Sequence, residues 1–385
     1  MTRRWAAGRR GAHAGTRSDV TKTYDRLPRR ARSEKLIVTR LIDAAVEASL
    51  GGDSLAIINL YVSLKSKPMA ILTGPARSGK VALLRAFGNV LTAGDHWRFQ
   101  EMVGHPWWAS QCPGAGLLAE AQTLFSAEKM LALIEEACLP QNTWKPHIAC
   151  LTRISRAEWS GLLSELAFQL RHGQLMRLAT IHFEWPIPFP PNVFIVATMD
   201  TTEVDWADED LLCMTNVLAW PANGDGPLRR FKRAQAIQCG GEEVQRSLIR
   251  DEGAARLKLR FVLGKDALGS TSFPRWETAS EKRGAWLPTY VRSELVVYLA
   301  NAWTEDGTGL FHPSPDTNAE IALDWALAQI VLPRMRTVLR KSPALLEDIR
   351  ALSNGEFPQV EAFLEALPRA NQPTYPSLLQ MGNPR

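Results

Sequence analysis

The stretch Pro68-Met69-Ala70-Ile71-Leu72-Thr73-Gly74-Pro75-Ala76-Arg77-Ser78-Gly79-Lys80-Val81 decides the fold. Its first six residues form a short apolar run closed by Gly-Pro, which reads as a buried strand. Gly74 to Gly79 reads as a loop, and Lys80 to Leu91 repeats apolar residues at helical spacing. A strand, a glycine-bounded loop and a helix, in that order, give the pattern Gly-x-x-x-x-Gly-Lys-Ser/Thr its meaning. The glycines let backbone N–H groups curl around phosphate oxygens, the helix N-terminus adds its positive end, and Lys80 reaches the terminal phosphates. The candidate nucleotide-binding residues are therefore Gly74, Pro75, Ala76, Arg77, Ser78, Gly79, Lys80 and Val81. Val81 departs from the pattern: a hydroxyl ligates Mg2+ at that position, and a valine methyl cannot. Phosphate cradling is kept; magnesium placement is compromised.

Working outward, Ser33 to about Lys65 predicts two helices broken at Gly51-Gly52-Asp53-Ser54, with Asp53 or Ser54 as N-cap. Trp97 to Met102 and His147 to Thr152 predict two further strands, with helices over 127–138 and 157–170. Residues 178–189 predict a hairpin and 192–198 a strongly apolar strand. Strands alternating with helices imply an α/β class, a parallel sheet covered on both faces. The 385 residues then divide into a basic arm (1–33), an α/β nucleotide-binding core (34–220), an irregular basic linker (221–285), a small helical domain (286–345) and a C-terminal tail (346–385).

Composition narrows the class. With 45% hydrophobic and 22% charged residues, the chain is neither disordered nor fibrous. No apolar stretch reaches membrane-spanning length, and no secretory signal opens the chain, so no membrane partner is expected. Five scattered cysteines without a Cys-x-x-Cys pair argue against a disulfide framework or zinc site and for a reduced, cytoplasmic setting. Of the net charge of +5, much is local: nine arginines crowd residues 1–33. Such an arm reads as a solvated tail, as a source of sequence-independent nucleic-acid contacts, or as an Arg-rich targeting peptide. The histidines show no metal-ligand spacing, and His147 reads as a core or edge residue.

The flanks of the loop carry a resemblance. Asn59 to Gly74 resembles the helix-to-loop entry of the McrB-type AAA+ family, nucleotide-driven ring motors known from modification-dependent restriction systems. Val103-Gly-His-Pro-Trp107-Trp108 is similar to the family's tryptophan-bearing segment, and Pro190 to Asp200 to its sensor-1 strand. Arg292 to Leu299 and Ala322 to Arg334 look like its helical lid, in which Arg292 matches a nucleotide-sensing arginine and Asp324 and Arg334 match structural positions. The resemblance covers about residues 55–220 and 288–336, with the motifs in the family's order. It implies a P-loop AAA+ core, ATP or GTP as ligand, and a homo- or hetero-oligomeric ring with a nuclease-type or catalytically intact AAA+ partner.

The same resemblance implies lost chemistry. Where the family carries the Asp-Glu pair that positions magnesium and activates water, this chain has Thr152 and Arg153, and a guanidinium cannot accept a proton. The sensor-1 asparagine matches Asp200, and the arginine finger matches Met214. A finger is worth about 10³–10⁵ in rate and a general base about 10²–10⁴. The expectation is a subunit or scaffold that binds nucleotide with little or no hydrolysis and belongs to an oligomeric, restriction-like defence complex. Two alternatives stay open. One is an active ATPase with a magnesium site rearranged around the candidate catalytic residue Asp200, helped by Glu158 or Glu165. The other is a DNA-binding accessory protein using the basic arm.

Overall fold

Five short apolar runs lie side by side as one parallel sheet: β1 (Met69–Thr73), β2 (Phe99–Val103), β3 (His147–Thr152), β6 (Val193–Met199) and β7 (Thr215–Ala219), in the order β2-β3-β6-β1-β7. The computed structural model describes residues 34–48, 53–103, 129–130, 132–152, 164–172, 176–179, 184–187, 189–199, 209–220, 242–264, 268–269 and 271–367. β4 (Met176–Ala179) and β5 (Glu184–Ile187) pair separately as the antiparallel hairpin predicted near 178–189.

Alternation along each strand divides the core. Ala70, Leu72, Phe194 and Val196 face α1 (Glu34–Glu47), α2 (Ser54–Ser66) and α3 (Lys80–Leu91). Met69, Ile71, Ile195 and Ala197 face a helical segment over 132–138, α4 (Ser164–Arg171) and α5 (Glu209–Met214). β1, β3 and β6 are buried on both faces, hence their predominantly apolar sequences. The predicted α/β class and two-sided cover are therefore observed. Among the described residues no helix is long and apolar enough to cross a membrane.

Two expectations are corrected. The segment 221–285, read as irregular, holds α6 (Glu242–Ser247), α7 (Glu252–Leu263) and α8 (Phe273–Lys282). Its helical period was masked because Leu257 and Phe261 on α7 are 67% and 76% exposed, which blurs the apolar stripe. Likewise the tail begins with α12 (Pro343–Ser353) and α13 (Pro358–Ala366), whose Leu345, Ile349, Val360 and Leu364 are buried. Between them and α8 lie α9 (Thr289–Asn301), α10 (Pro315–Ala326) and α11 (Leu332–Lys341). A π-helical turn at Leu327–Val331 joins α10 to α11 just ahead of Pro333, which has no N–H to continue the α ladder.

The helices of 242–367 do not form a detached unit; their apolar residues continue the cluster on the α1–α3 face of the sheet. Polar contacts stitch the same seam. Tyr298 Oη donates to Asn59 Oδ1 at 2.5 Å, and Ser63 Oγ donates to Gln329 Oε1 at 3.3 Å. At the amino ends of β1 and β7, Lys67 Nζ donates to Leu212 O at 2.6 Å and pairs with Glu294 at 2.7 Å. Arg334 bridges Glu209 at 2.7 Å and Glu294 at 3.0 Å. The position of Arg334 is thus structural, as read.

Asp324 caps α13 by accepting from the backbone N–H of Gln359 at 3.0 Å and of Val360 at 3.0 Å. Burial pushes its carboxyl up to about 6, with the two backbone donors opposing. A pKa raised by folding means that the fold favours the protonated form, so this contribution is full below the unfolded pKa and is lost as pH rises through about 6. Wild type is therefore expected to gain about 2 kcal/mol from this group at about pH 4.5 relative to about pH 7.5, and Asp324→Asn is expected to lack that gain. Urea denaturation of both proteins at the two pH values checks it; parallel pH dependence in the two would refute the assignment.

Candidate phosphate-binding site

β1 carries the site to the carboxyl edge of the sheet. From β1 the chain runs to β2 at the far edge and returns through β3 and β6. It then crosses to the other side of β1 as β7. Connections from β1 and β6 thus diverge, and the crevice beyond the strand ends at such a switch is where open α/β sheets take ligands. The predicted loop, Gly74 to Gly79, occupies that place and leads into α3, whose observed span matches the expected one.

Local backbone geometry explains the glycines. Gly79 is the N-cap of α3 with φ 83°, a left-handed conformation that a side chain disfavours. At Gly74 φ is 150°, and an added Cβ would lie 2.2 Å from the carbonyl oxygen of Trp220. Arg77 holds φ 63° although it is not glycine, a strain of about 1–2 kcal/mol. Pro75, Ala76 and Arg77 are exposed, whereas Ser78 and Lys80 are buried.

Lys80 closes the loop from within. Its Nζ donates to Gly74 O at 3.1 Å, Pro75 O at 2.6 Å and Ser78 Oγ at 3.1 Å. The ammonium is thus held inside the curl, beside the first turn of α3, whose leading N–H groups have no intrahelical acceptor. A buried cation next to the positive end of a helix favours an anion. The loop and Lys80 therefore fit a phosphate.

The described donors do not fit Mg2+ in the same way. Val81, half-buried in the first turn of α3, has no ligating atom. Thr152 closes β3, and by strand alternation it shares the α3 face with Ile148 and Cys150. It is buried and donates its hydroxyl to Met102 O at 3.4 Å. Its group is a neutral hydroxyl, not the carboxylate that Mg2+ favours. Arg153, Glu158 and Asp200 lie outside the described residues, as do the tryptophan segment at 104–108 and the arm at 1–33.

The structure brings Gly74 to Val81 together and, of the other candidates among the described residues, places Arg292 and Met214 elsewhere. Arg292, in the first turn of α9, pairs with Glu277 at 2.6 Å and Glu281 at 3.6 Å on α8. Met214 ends α5 and packs against the core cluster that includes Leu211 and Met199. His147 is fully buried, with Nδ1 2.9 Å from Lys145 O, and burial lowers its pKa to about 4. It belongs to the core, as read. One residue beside the loop was missed in the sequence: Trp220, whose indole N–H donates to Ser78 O at 3.0 Å. Its only local signal is that it ends an apolar run before Pro221, which says nothing about its partner.

Comparison with protein-family models and with curated proteins gives no match for this chain.

Proposed function

We propose that this chain is a McrB-like AAA+ subunit that binds the phosphates of ATP or GTP through Gly74 to Lys80 and acts as a non-hydrolysing member or scaffold of an oligomeric assembly. The observation that carries the reading is the Lys80 ammonium, held inside a glycine-bounded curl at the carboxyl end of β1 and the start of α3. The parallel sheet with its ligand crevice at this loop supports a nucleotide-binding core. Val81 and Thr152 support the loss of hydrolysis, because Val81 has no ligating atom and Thr152 offers no carboxylate, only a neutral hydroxyl donated to Met102 O. The ring partner would be a second AAA+ chain or a nuclease subunit.

Equilibrium binding of a fluorescent ATP or GTP analogue tests the reading. Lys80→Ala is expected to weaken binding about 10- to 100-fold, since a charge-assisted contact to phosphate is lost. Undetectable binding by both proteins removes the nucleotide claim. Phosphate release by the parent that vanishes in Asp200→Asn would instead establish an active enzyme with a rearranged metal site.

A further inference from the structure

The phosphate loop is gripped from outside by a residue at the end of β7. Trp220 donates its backbone N–H to Thr73 O at 2.7 Å, which extends the β1–β7 pairing by one bond. Its indole Nε1–H donates to Ser78 O at 3.0 Å. Its own carbonyl lies so close to Gly74 that no Cβ fits between them. The side chain is almost fully buried, so both bonds are shielded from water.

We propose that Trp220 is the positioning residue of the phosphate loop, holding two of its peptide planes with their carbonyls turned outward so that the N–H groups of the same planes face a polyphosphate ligand. The inference rests on the nucleotide-binding reading above and deepens it. A trans peptide is planar, with its C=O and N–H pointing in opposite directions. Fixing the Thr73 carbonyl against the Trp220 amide therefore aims the Gly74 N–H away from β7. Fixing the Ser78 carbonyl against the indole aims the Gly79 N–H away from Trp220. The carbonyls of Gly74 and Pro75 are already taken up by the Lys80 ammonium, and the planes left to meet a phosphate must present their amides, because a free carbonyl facing the ligand repels it. Left alone, a loop containing two glycines samples both orientations. The indole removes that choice at the Ser78–Gly79 plane, one residue before the lysine.

The test uses the full chain with inorganic tripolyphosphate as probe, which separates phosphate cradling from base recognition. Two variants remove the donor: Trp220→Phe, and Trp220 replaced by benzothienylalanine, an isostere whose sulfur stands for the N–H. Calorimetric affinities are compared with those of wild type and Lys80→Ala. In wild type the indole ¹⁵N–¹H resonance of Trp220, assigned by its absence from Trp220→Phe, is followed through the titration. The expected result is a loss of affinity of about fivefold or more in both variants, the worth of one buried hydrogen bond, and a shift of the Trp220 resonance on binding. Unchanged affinity in the isostere overturns the inference while the nucleotide reading stands, because a loss confined to Trp220→Phe reports packing alone. Wild type that does not bind tripolyphosphate overturns the reading and this inference together.

Discussion

Glu34→Ala is expected to destabilise the fold by about 3–5 kcal/mol, the cost of stranding a buried charge. Glu34 and Lys65 form an ion pair in which both side chains are almost fully buried. Around it, Tyr61 Oη donates to Glu34 Oε1 at 3.1 Å, and Lys65 Nζ also reaches Asn301 O at 3.3 Å and Trp303 O at 3.4 Å. The pair thus ties α1 and α2 to the end of α9. Without Glu34, the ammonium keeps only neutral carbonyl acceptors and the face of Tyr61, 5.7 Å from its centroid. Burying such a cation unpaired is far costlier than removing the pair altogether. The double variant Glu34→Leu with Lys65→Met should therefore recover most of the loss. Urea denaturation of the single and double variants decides it; a single-variant cost below about 1 kcal/mol would show that Lys65 finds water or another partner.

Gly74→Ala is expected to cost about 3 kcal/mol and to abolish polyphosphate binding, because two penalties coincide. The backbone at this position has φ 150°, and the new methyl would meet the Trp220 carbonyl at 2.2 Å. That oxygen is backbone, so no rotamer change relieves the clash; the end of β7 must shift, and Trp220 must release Thr73 or Ser78. Gly94 supplies the control. It too has a positive φ, 73°, but a Cβ there meets nothing within 4 Å. Gly94→Ala should cost only about 1 kcal/mol, from the left-handed backbone alone. Denaturation midpoints of the two variants separate the steric part from the conformational part, and equal costs would refute the close approach of β7 to the loop.

The strands and the loop were legible because their causes are local and contiguous. The runs at 69–73, 147–152 and 193–199 are buried on both faces, so apolar residues dominate both of their faces. Asp53 announced α2 as a side-chain cap, and it accepts from Leu55 N at 2.9 Å. The helices of 242–282 were not legible, since α8 buries only Phe273, Trp276 and Ser280 and α7 displays Leu257 and Phe261 to solvent. The start of α12 carried a usable sign, Ser342 before Pro343, and Ser342 does cap the helix by accepting from Leu345 N at 3.4 Å.

By itself, the sequence determined a strand, a glycine-bounded turn and a helix beginning with Lys80, because backbone freedom, apolar burial and helix-end charge all act over neighbouring residues. It also determined that Val81 and Thr152 carry no carboxylate, whatever their surroundings. Only the tertiary structure decided what contacts the loop and what locks the helices onto the sheet. Those contacts join residues more than a hundred positions apart, as Trp220 to Ser78 and Lys67 to Glu294 do. Their existence depends on the strand order that sets β7 beside β1, and hydrophobic periodicity specifies which face of a strand is buried but not which strand lies next to it.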